Sequence, residues 1–183
     1  GTVLTAVYNG PTISAGAPAT KQTGTFTFTS AGRATNALTF TSLRNTAVLT
    51  GHRSFIQGGA GNDTITGGSN VGTSDTIAGG AGTDTLTLSD TSATVIDTHF
   101  TNIKSMEKLT TSTGDTSITM SAAGNTAFGS GLTVTSGTIT DGKDFAFAGG
   151  LMTVDTTVTV DATSSVGDGA GEDFVVTTGS GKD

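Results

Sequence analysis

Two nine-residue segments place glycines, one aspartate and one large apolar residue at the same positions. Residues 58–66 read Gly-Gly-Ala-Gly-Asn-Asp-Thr-Ile-Thr, and residues 79–87 read Gly-Gly-Ala-Gly-Thr-Asp-Thr-Leu-Thr. Both match the nonapeptide pattern G-G-x-G-x-D-x-U-x, in which U is a large apolar residue. Residues 67–78 between them carry the same pattern, lengthened by three residues. Three consecutive half-turns of one repeat are therefore predicted.

This arrangement of residue types has the chemistry of a calcium site. Glycines can adopt a positive φ and turn peptide carbonyls inward, and the aspartate adds a carboxylate. The x-U-x triplet forms a short strand whose apolar residue fills the core. Calcium takes about six to eight oxygen ligands, more than one turn supplies. Two turns must therefore share each ion.

The spacing predicts which turns do so. Successive turns of such a roll lie on opposite sides, so each turn stacks on the turn two repeats away. The turn from Gly58 to Asp63 is predicted to lie beneath the turn from Gly79 to Asp84, with calcium between them. Asp63 and Asp84 are the first candidate ligands.

The turn that ends at Asp75 is predicted to face the other side of the roll. Its expected neighbours are Gly51-His52-Arg53-Ser54 below and Leu88-Ser89-Asp90 above, neither of which is a full motif. Asp75 and Asp90 are candidates for a second ion there.

A second cluster lies near the end of the sequence, where residues 168–183 keep only the G-x-G-x-D part of the pattern. It predicts a second roll that the end of the sequence cuts short, and we expect the chain to be a piece of a longer or processed polypeptide. By contrast, Asp141-Gly142 is interpreted as a hairpin turn between two strands. All candidate calcium-binding residues are Gly58, Gly59, Gly61, Asp63, Gly67, Gly68, Asp75, Gly79, Gly80, Gly82, Asp84, Asp90, Asp168, Gly169, Gly171, Asp173, Gly179, Gly181 and Asp183.

The composition predicts an all-β protein around these motifs. The sequence has 41 Thr, 17 Ser and 28 Gly among 183 residues, and these types disfavour long helices. Short runs of alternating apolar and polar residues, separated by turn residues, indicate strands of a β-solenoid or a β-sandwich-like array. One short helix is expected around Asp97 to Glu107. The predicted units are an N-terminal β-module (1–50), the calcium-binding parallel β-roll (51–92), a second β-module (93–165) and the start of the second roll (166–183).

Composition also excludes several classes of function. Eight basic against 15 acidic residues, a net charge of −7, leave no electrostatic surface for nucleic acid or anionic membrane. No apolar stretch is long enough to span a membrane, and the absence of cysteine excludes disulfides and thiolate metal sites. The two histidines, His52 and His99, have no partner at the spacing of a zinc site, and no nucleophile motif has a base beside it. The chain is therefore not expected to be an enzyme.

The glycine-aspartate segments resemble the RTX (hemolysin-type) calcium-binding repeat. Phe100-Thr101-Asn102-Ile103-Lys104-Ser105-Met106-Glu107-Lys108-Leu109 resembles the passage that follows such repeats in bacterial RTX-containing surface-layer proteins. The resemblance implies a secreted protein of the bacterial cell surface, type I export, calcium-driven folding outside the cell and assembly with copies of itself. Cell-surface polysaccharide is a further candidate partner.

The sequence therefore predicts a structural, calcium-dependent segment that assembles into a surface layer or filament. Two alternatives share the calcium chemistry. One is an extender or ligand-binding segment of an RTX adhesin, which would stay monomeric. The other is the secretion and folding domain of a type I exoenzyme, which a catalytic motif in neighbouring sequence would reveal.

Overall fold

The computed structural model describes residues 24–27, 36–39, 45–48, 54–67, 71–73, 75–90, 92–139, 142–162 and 173–182. These residues form short strands, one turn of 3-10 helix at Asp97–Phe100 and one α-helix, α1, at Ala122–Ala127. The strands are β1 (Gly24–Thr27), β2 (Asn36–Thr39), β3 (Asn45–Val48), β4 (Ser54–Ala60), β5 (Thr64–Gly67), β6 (Thr76–Ala81), β7 (Thr85–Leu88), β8 (Ser92–Val95), β9 (Ile103–Lys104), β10 (Lys108–Thr110), β11 (Asp115–Thr119), β12 (Leu132–Ile139), β13 (Phe145–Ala148), β14 (Thr156–Ala162) and β15 (Phe174–Thr177). Neither helix is long and apolar enough to cross a membrane.

The strands form three parallel sheets that wind into a β-solenoid. Sheet A has seven strands in the order β1-β3-β5-β7-β10-β12-β14. Sheet B has the order β2-β4-β6-β9, and sheet C has the order β15-β13-β11-β8. Of the two architectures predicted for the short strands, the structure has the solenoid. Sheet A runs without a break through the residue ranges of the three longer predicted units.

The solenoid changes from two sides to three along the chain. Up to β7 the chain alternates between sheets A and B, and Thr64 pairs with Thr85 one coil of 21 residues later. After β7 it enters sheet C at β8 before it returns to sheet B at β9. The coils lengthen accordingly, so that Phe145 pairs with Phe174, 29 residues later. β12 and β13 belong to different sheets, so these two strands do not form the hairpin predicted at Asp141-Gly142; Asp141 itself lies outside the described residues.

Stacked apolar side chains fill the solenoid. Along sheet A, Ile65 pairs with Leu86, Leu86 with Leu109 and Leu109 with Val134, and all four are buried. Their neighbours along each strand face outward, and most of these are threonines. Burying an apolar side chain of this size stabilises the fold by about 1.5 to 3 kcal/mol. One apolar residue in each triplet is therefore enough to build a continuous core.

The Asp97 carboxylate caps α1 near the point where the roll ends. Asp97, the first residue of the 3-10 helix, accepts hydrogen bonds from the backbone N–H groups of Ser121 (2.6 Å), Gly124 (3.0 Å) and Ala123 (3.2 Å). These groups lie at the N-terminus of α1, whose own N-cap residue Ser121 makes no capping bond. Burial alone would raise the pKa of Asp97, but these hydrogen bonds hold it below its ordinary value. The helix predicted around Asp97 to Glu107 is present only as this 3-10 turn.

Replacing Asp97 should destabilise the protein through the start of α1. We expect Asp97→Ala to lower the free energy of unfolding by about 1 to 2 kcal/mol, the usual cost of losing a helix cap. Asp97→Asn, which keeps an acceptor oxygen, should lower it less. Urea unfolding followed by circular dichroism measures both. Equal stability of wild type and Asp97→Ala would contradict a capping role.

Candidate metal site

The strand register brings the two predicted half-turns together. Gly59 pairs with Gly80 in sheet B, and Thr64 pairs with Thr85 in sheet A. The turn that ends at Asp63 therefore stacks directly on the turn that ends at Asp84. The predicted stacking is confirmed, whereas the binding of an ion between the turns stays a prediction.

Three acidic side chains follow one another along this stack, one in each coil. The Asp63 backbone N–H donates to Asp84 Oδ1 at 2.8 Å, and the Asp84 backbone N–H donates to Glu107 Oε2 at 2.7 Å. Asp63 and Asp84 are almost completely buried, with 1% and 0% of their surface exposed, and Glu107 is half-buried. We call Asp63, Asp84 and Glu107 the carboxylate column.

Glycines allow peptide carbonyls to approach these carboxylates. A Cβ atom on Gly79 would overlap both the Ser105 carbonyl oxygen and Asp84 Oδ2. A Cβ atom on Gly58 would overlap the Gly79 carbonyl oxygen and Asp63 Oδ2 in the same way. In each of these two coils, then, a carbonyl oxygen of the next coil and a carboxylate oxygen lie beside one glycine. Gly61, Gly80 and Gly82 serve the turns differently, through positive φ angles of 98°, 116° and 140°.

Burial perturbs the electrostatics of Asp84. Burial raises the pKa of its carboxyl to about 6; the hydrogen bond from the Asp63 backbone opposes this rise, and the negative charges of Asp63 and Glu107 add to it. Its Oδ1 accepts the hydrogen bond from Asp63, but Oδ2 is buried without a hydrogen-bond partner. Among the described residues the ion pair found is Lys143–Asp115, which does not involve Asp84.

The predicted pairing of Asp75 with Asp90 is wrong. Asp75 is buried, and its Oδ2 accepts a hydrogen bond from the Gly72 backbone at 2.9 Å. However, Ile77 pairs with Ile103, so the coil above Asp75 is the segment before β9 and not Leu88-Ser89-Asp90. The reason is the added third side: after β7 the chain turns into sheet C and reaches sheet B again only at β9. Of the predicted lower neighbour, Ser54 lies one coil below Asp75, because Phe55 pairs with Thr76, whereas Gly51, His52 and Arg53 lie outside the described residues.

The remaining candidate residues fall into two groups. Gly67 pairs with Leu88 inside sheet A, and Asp173 is exposed, its backbone N–H donating to Asp144 Oδ1 at 2.9 Å. Gly179 and Gly181 lie against the carbonyl oxygens of Met152 and Val154 in the coil below. The candidates outside the described residues are Gly68, Asp168, Gly169, Gly171 and Asp183.

The donor set of the carboxylate column suits a hard cation. The available atoms are carboxylate and carbonyl oxygens, which calcium prefers, and a buried oxygen without a partner favours a positive charge beside it. Within the described residues, no three or more His, Cys, Asp or Glu side chains converge as a metal-binding group. A cation here would therefore need peptide carbonyls and water to complete its ligands.

Comparison with known proteins adds no assignment. No protein-family model matches the chain, and neither a curated protein nor a solved structure is significantly similar to it. The resemblance to RTX repeats therefore depends on the sequence motifs alone.

The next coil approaches Gly79 so closely that a side chain has no room there, which a matched pair of variants can test. Gly79→Ala should destabilise the protein by about 1 to 3 kcal/mol, as for other overpacked sites, because the new methyl group meets Ser105 and Asp84. In Gly72→Ala the methyl group meets nothing within 4 Å, so this control should stay close to wild type. Thermal unfolding of both variants provides the measurement. Similar losses for the two would show that the close approach at Gly79 is not a constraint.

The raised pKa of Asp84 gives the metal-free protein a defined pH dependence. Because the folded-state pKa of about 6 exceeds the ordinary value of 3.8, the folded state binds the proton more tightly. This contribution to stability is complete below pH 3.8 and is lost as the pH rises through about 6. Asp84→Asn should remove it, so the stability difference between variant and wild type in EDTA should change across this interval. A constant difference from pH 4 to pH 7 would contradict the raised pKa.

Proposed function

We propose that this protein is a structural, calcium-dependent segment of a secreted bacterial cell-surface protein, which folds and self-assembles on binding calcium. The single observation that carries the proposal is the stack of two glycine-rich turns that buries Asp63 on Asp84. Buried carboxylates of like charge destabilise a fold unless one of them takes up a proton or a positive charge lies beside them. Calcium between the turns would supply that charge.

Binding of this kind would couple calcium to folding. Asp63 and Asp84 belong to different coils and are 21 residues apart in sequence. An ion held by both turns joins the two coils, so part of its binding free energy becomes folding free energy. Extracellular calcium modules have dissociation constants of about 0.1 to 1 mM, which suits a chain that stays loose during export and folds outside the cell.

Self-assembly enters the proposal through the resemblance of residues 100–109 to the passage that follows RTX repeats in surface-layer proteins. Copies of this chain are therefore the partners we propose, in a surface layer or filament.

The decisive experiment adds calcium to EDTA-treated protein while circular dichroism and light scattering are recorded together. We expect a gain of β-signal accompanied by large assemblies. Asp84→Asn should weaken both responses, because it removes the buried charge that faces the ion. Asp161→Asn is the matched control, since Asp161 is exposed on β14 and outside the glycine-rich turns.

Each other outcome has a definite meaning. A gain of β-signal in a protein that stays monomeric would overturn self-assembly and favour the adhesin extender or the secretion domain. If calcium changes neither signal in the wild type, the calcium-dependent function is wrong. An unaltered response of Asp84→Asn would remove the carboxylate column from the explanation.

A further inference from the structure

We propose that the carboxylate column holds a second cation, one coil beyond the first, between Asp84 and Glu107. This inference extends the proposed function, since it assumes that the stacked turns bind a hard divalent cation. The ligands we assign are Asp84 Oδ2, the Ser105 carbonyl oxygen and the Glu107 carboxylate. Ser105 and Glu107 lie outside the glycine-aspartate repeats.

The first observation is the unpartnered oxygen of Asp84. Asp84 is completely buried, and its Oδ1 is occupied by the hydrogen bond from the Asp63 backbone. Oδ2 has no hydrogen-bond partner, and it lies beside the same glycine as the Ser105 carbonyl oxygen. An ionised carboxylate oxygen buried beside a carbonyl oxygen is unfavourable, because both atoms are then only acceptors. A cation bound by the two oxygens relieves this arrangement.

The second observation is the backbone of Ser105. Ala78 pairs with Lys104, so Ser105 lies above Gly79 and takes the place of a turn glycine one coil further on. Ser105 is the one non-glycine residue with a positive φ, 54°, among the described residues. A left-handed conformation costs a serine about 1 kcal/mol or more. The Ser105 carbonyl oxygen lies beside Gly79 together with Asp84 Oδ2, just as the Gly79 carbonyl oxygen lies beside Gly58 together with Asp63 Oδ2.

The third observation is that Glu107 is fixed and reachable from solvent. Its Oε2 accepts the Asp84 backbone N–H at 2.7 Å, and its Oε1 accepts the Ser130 hydroxyl at 3.1 Å. Glu107 also lines a groove of about 290 Å³, together with Thr83, Ser130 and Asp155. Through this groove, which Lys108 also lines, Glu107 is open to solvent beside hydroxyl and carboxylate oxygens.

The chemistry of these atoms selects the class of ion. All are oxygens, so a soft metal such as zinc in a thiolate or imidazole site is disfavoured. The ligands come from two coils. They combine one carbonyl oxygen with the carboxylates of an aspartate and a glutamate, whose side chains differ in length. Calcium accepts such irregular sets, whereas magnesium requires nearly regular octahedral geometry. We therefore assign the site to calcium.

The test counts calcium ions by isothermal titration calorimetry of the EDTA-treated chain. Glu107→Gln removes the charge but keeps an oxygen that can accept the Asp84 N–H. We expect this variant to bind one ion fewer than the wild type, or to bind that ion about 10- to 100-fold more weakly. Asp63→Asn should impair the other ion and leave this one. Asp161→Asn serves as the control for the loss of one negative charge.

Stability measurements separate a ligand from a purely structural residue. In EDTA, Glu107→Gln should unfold at the same urea concentration as the wild type, and the difference should arise only when calcium is added. A loss of stability in EDTA with unchanged calcium stoichiometry would show that Glu107 is only structural, which overturns the inference. Ser105→Gly keeps the carbonyl, so it should bind the same number of ions as the wild type.

The two proposals fail in different ways. If the wild type binds no calcium, the proposed function fails and the second site with it. If the wild type binds calcium and Glu107→Gln binds it with the same stoichiometry and affinity, only the second site is wrong.

Discussion

The parallel register between coils is the constraint on which the rest of this structure depends. Each strand pairs with the strand one coil away, so the number of residues in a coil decides which side chains stack. In the roll a coil of 21 residues places Ile65 on Leu86 and, a few positions earlier, Asp63 on Asp84. The same register that builds the apolar core thus stacks one negative charge on another. A change in this register would therefore shift both the apolar core and the carboxylate column.

The chain contains a second acidic stack that shows how burial decides the outcome. Asp115, Asp144 and Asp173 follow one another at 29-residue steps, and the Asp144 and Asp173 backbones donate to the preceding carboxylate at 3.1 and 2.9 Å. This stack is close to solvent, and Lys143 forms an ion pair with Asp115 at 3.3 Å. The hydrogen bond from the Asp144 backbone and the Lys143 side chain lower the pKa of Asp115, whereas burial raises that of Asp84. Similar ladders therefore differ in their electrostatics: solvent and a lysine favour the charged carboxylate on the surface, whereas burial disfavours it in the carboxylate column.

The repeat motif carries enough information to predict the local stacking but not the path of the chain beyond it. The two nonapeptides have Asp and the large apolar residue at the same positions. They predict that Asp63 lies on Asp84, because a regular roll keeps both Ile65 and Leu86 inside only in the register that stacks these two aspartates. The Asp75–Asp90 pairing assumes that the roll continues, and nothing in its residues signals that β8 opens a third side. The short helix α1 depends on Asp97, 24 residues before Ser121, so no local pattern announces it. Long-range capping and a change of coil length depend on tertiary contacts, so the periodicity of the sequence does not predict them.

Glu107 illustrates what the register adds to the sequence. In the sequence it is one of two glutamates, placed in a passage with no glycine pair and no aspartate. In the fold it continues the positions of Asp63 and Asp84 because Lys108 pairs with Thr85. The coil between Asp84 and Glu107 is two residues longer than the coil below it, and Ser105 adopts a left-handed backbone at the former glycine position. In this longer coil the Ser105 carbonyl oxygen still lies beside Gly79 and Asp84 Oδ2, and Glu107 still accepts a backbone hydrogen bond from Asp84, as Asp84 does from Asp63 one coil below. The stacking of carboxylates and carbonyl oxygens therefore continues one coil beyond the last full repeat motif.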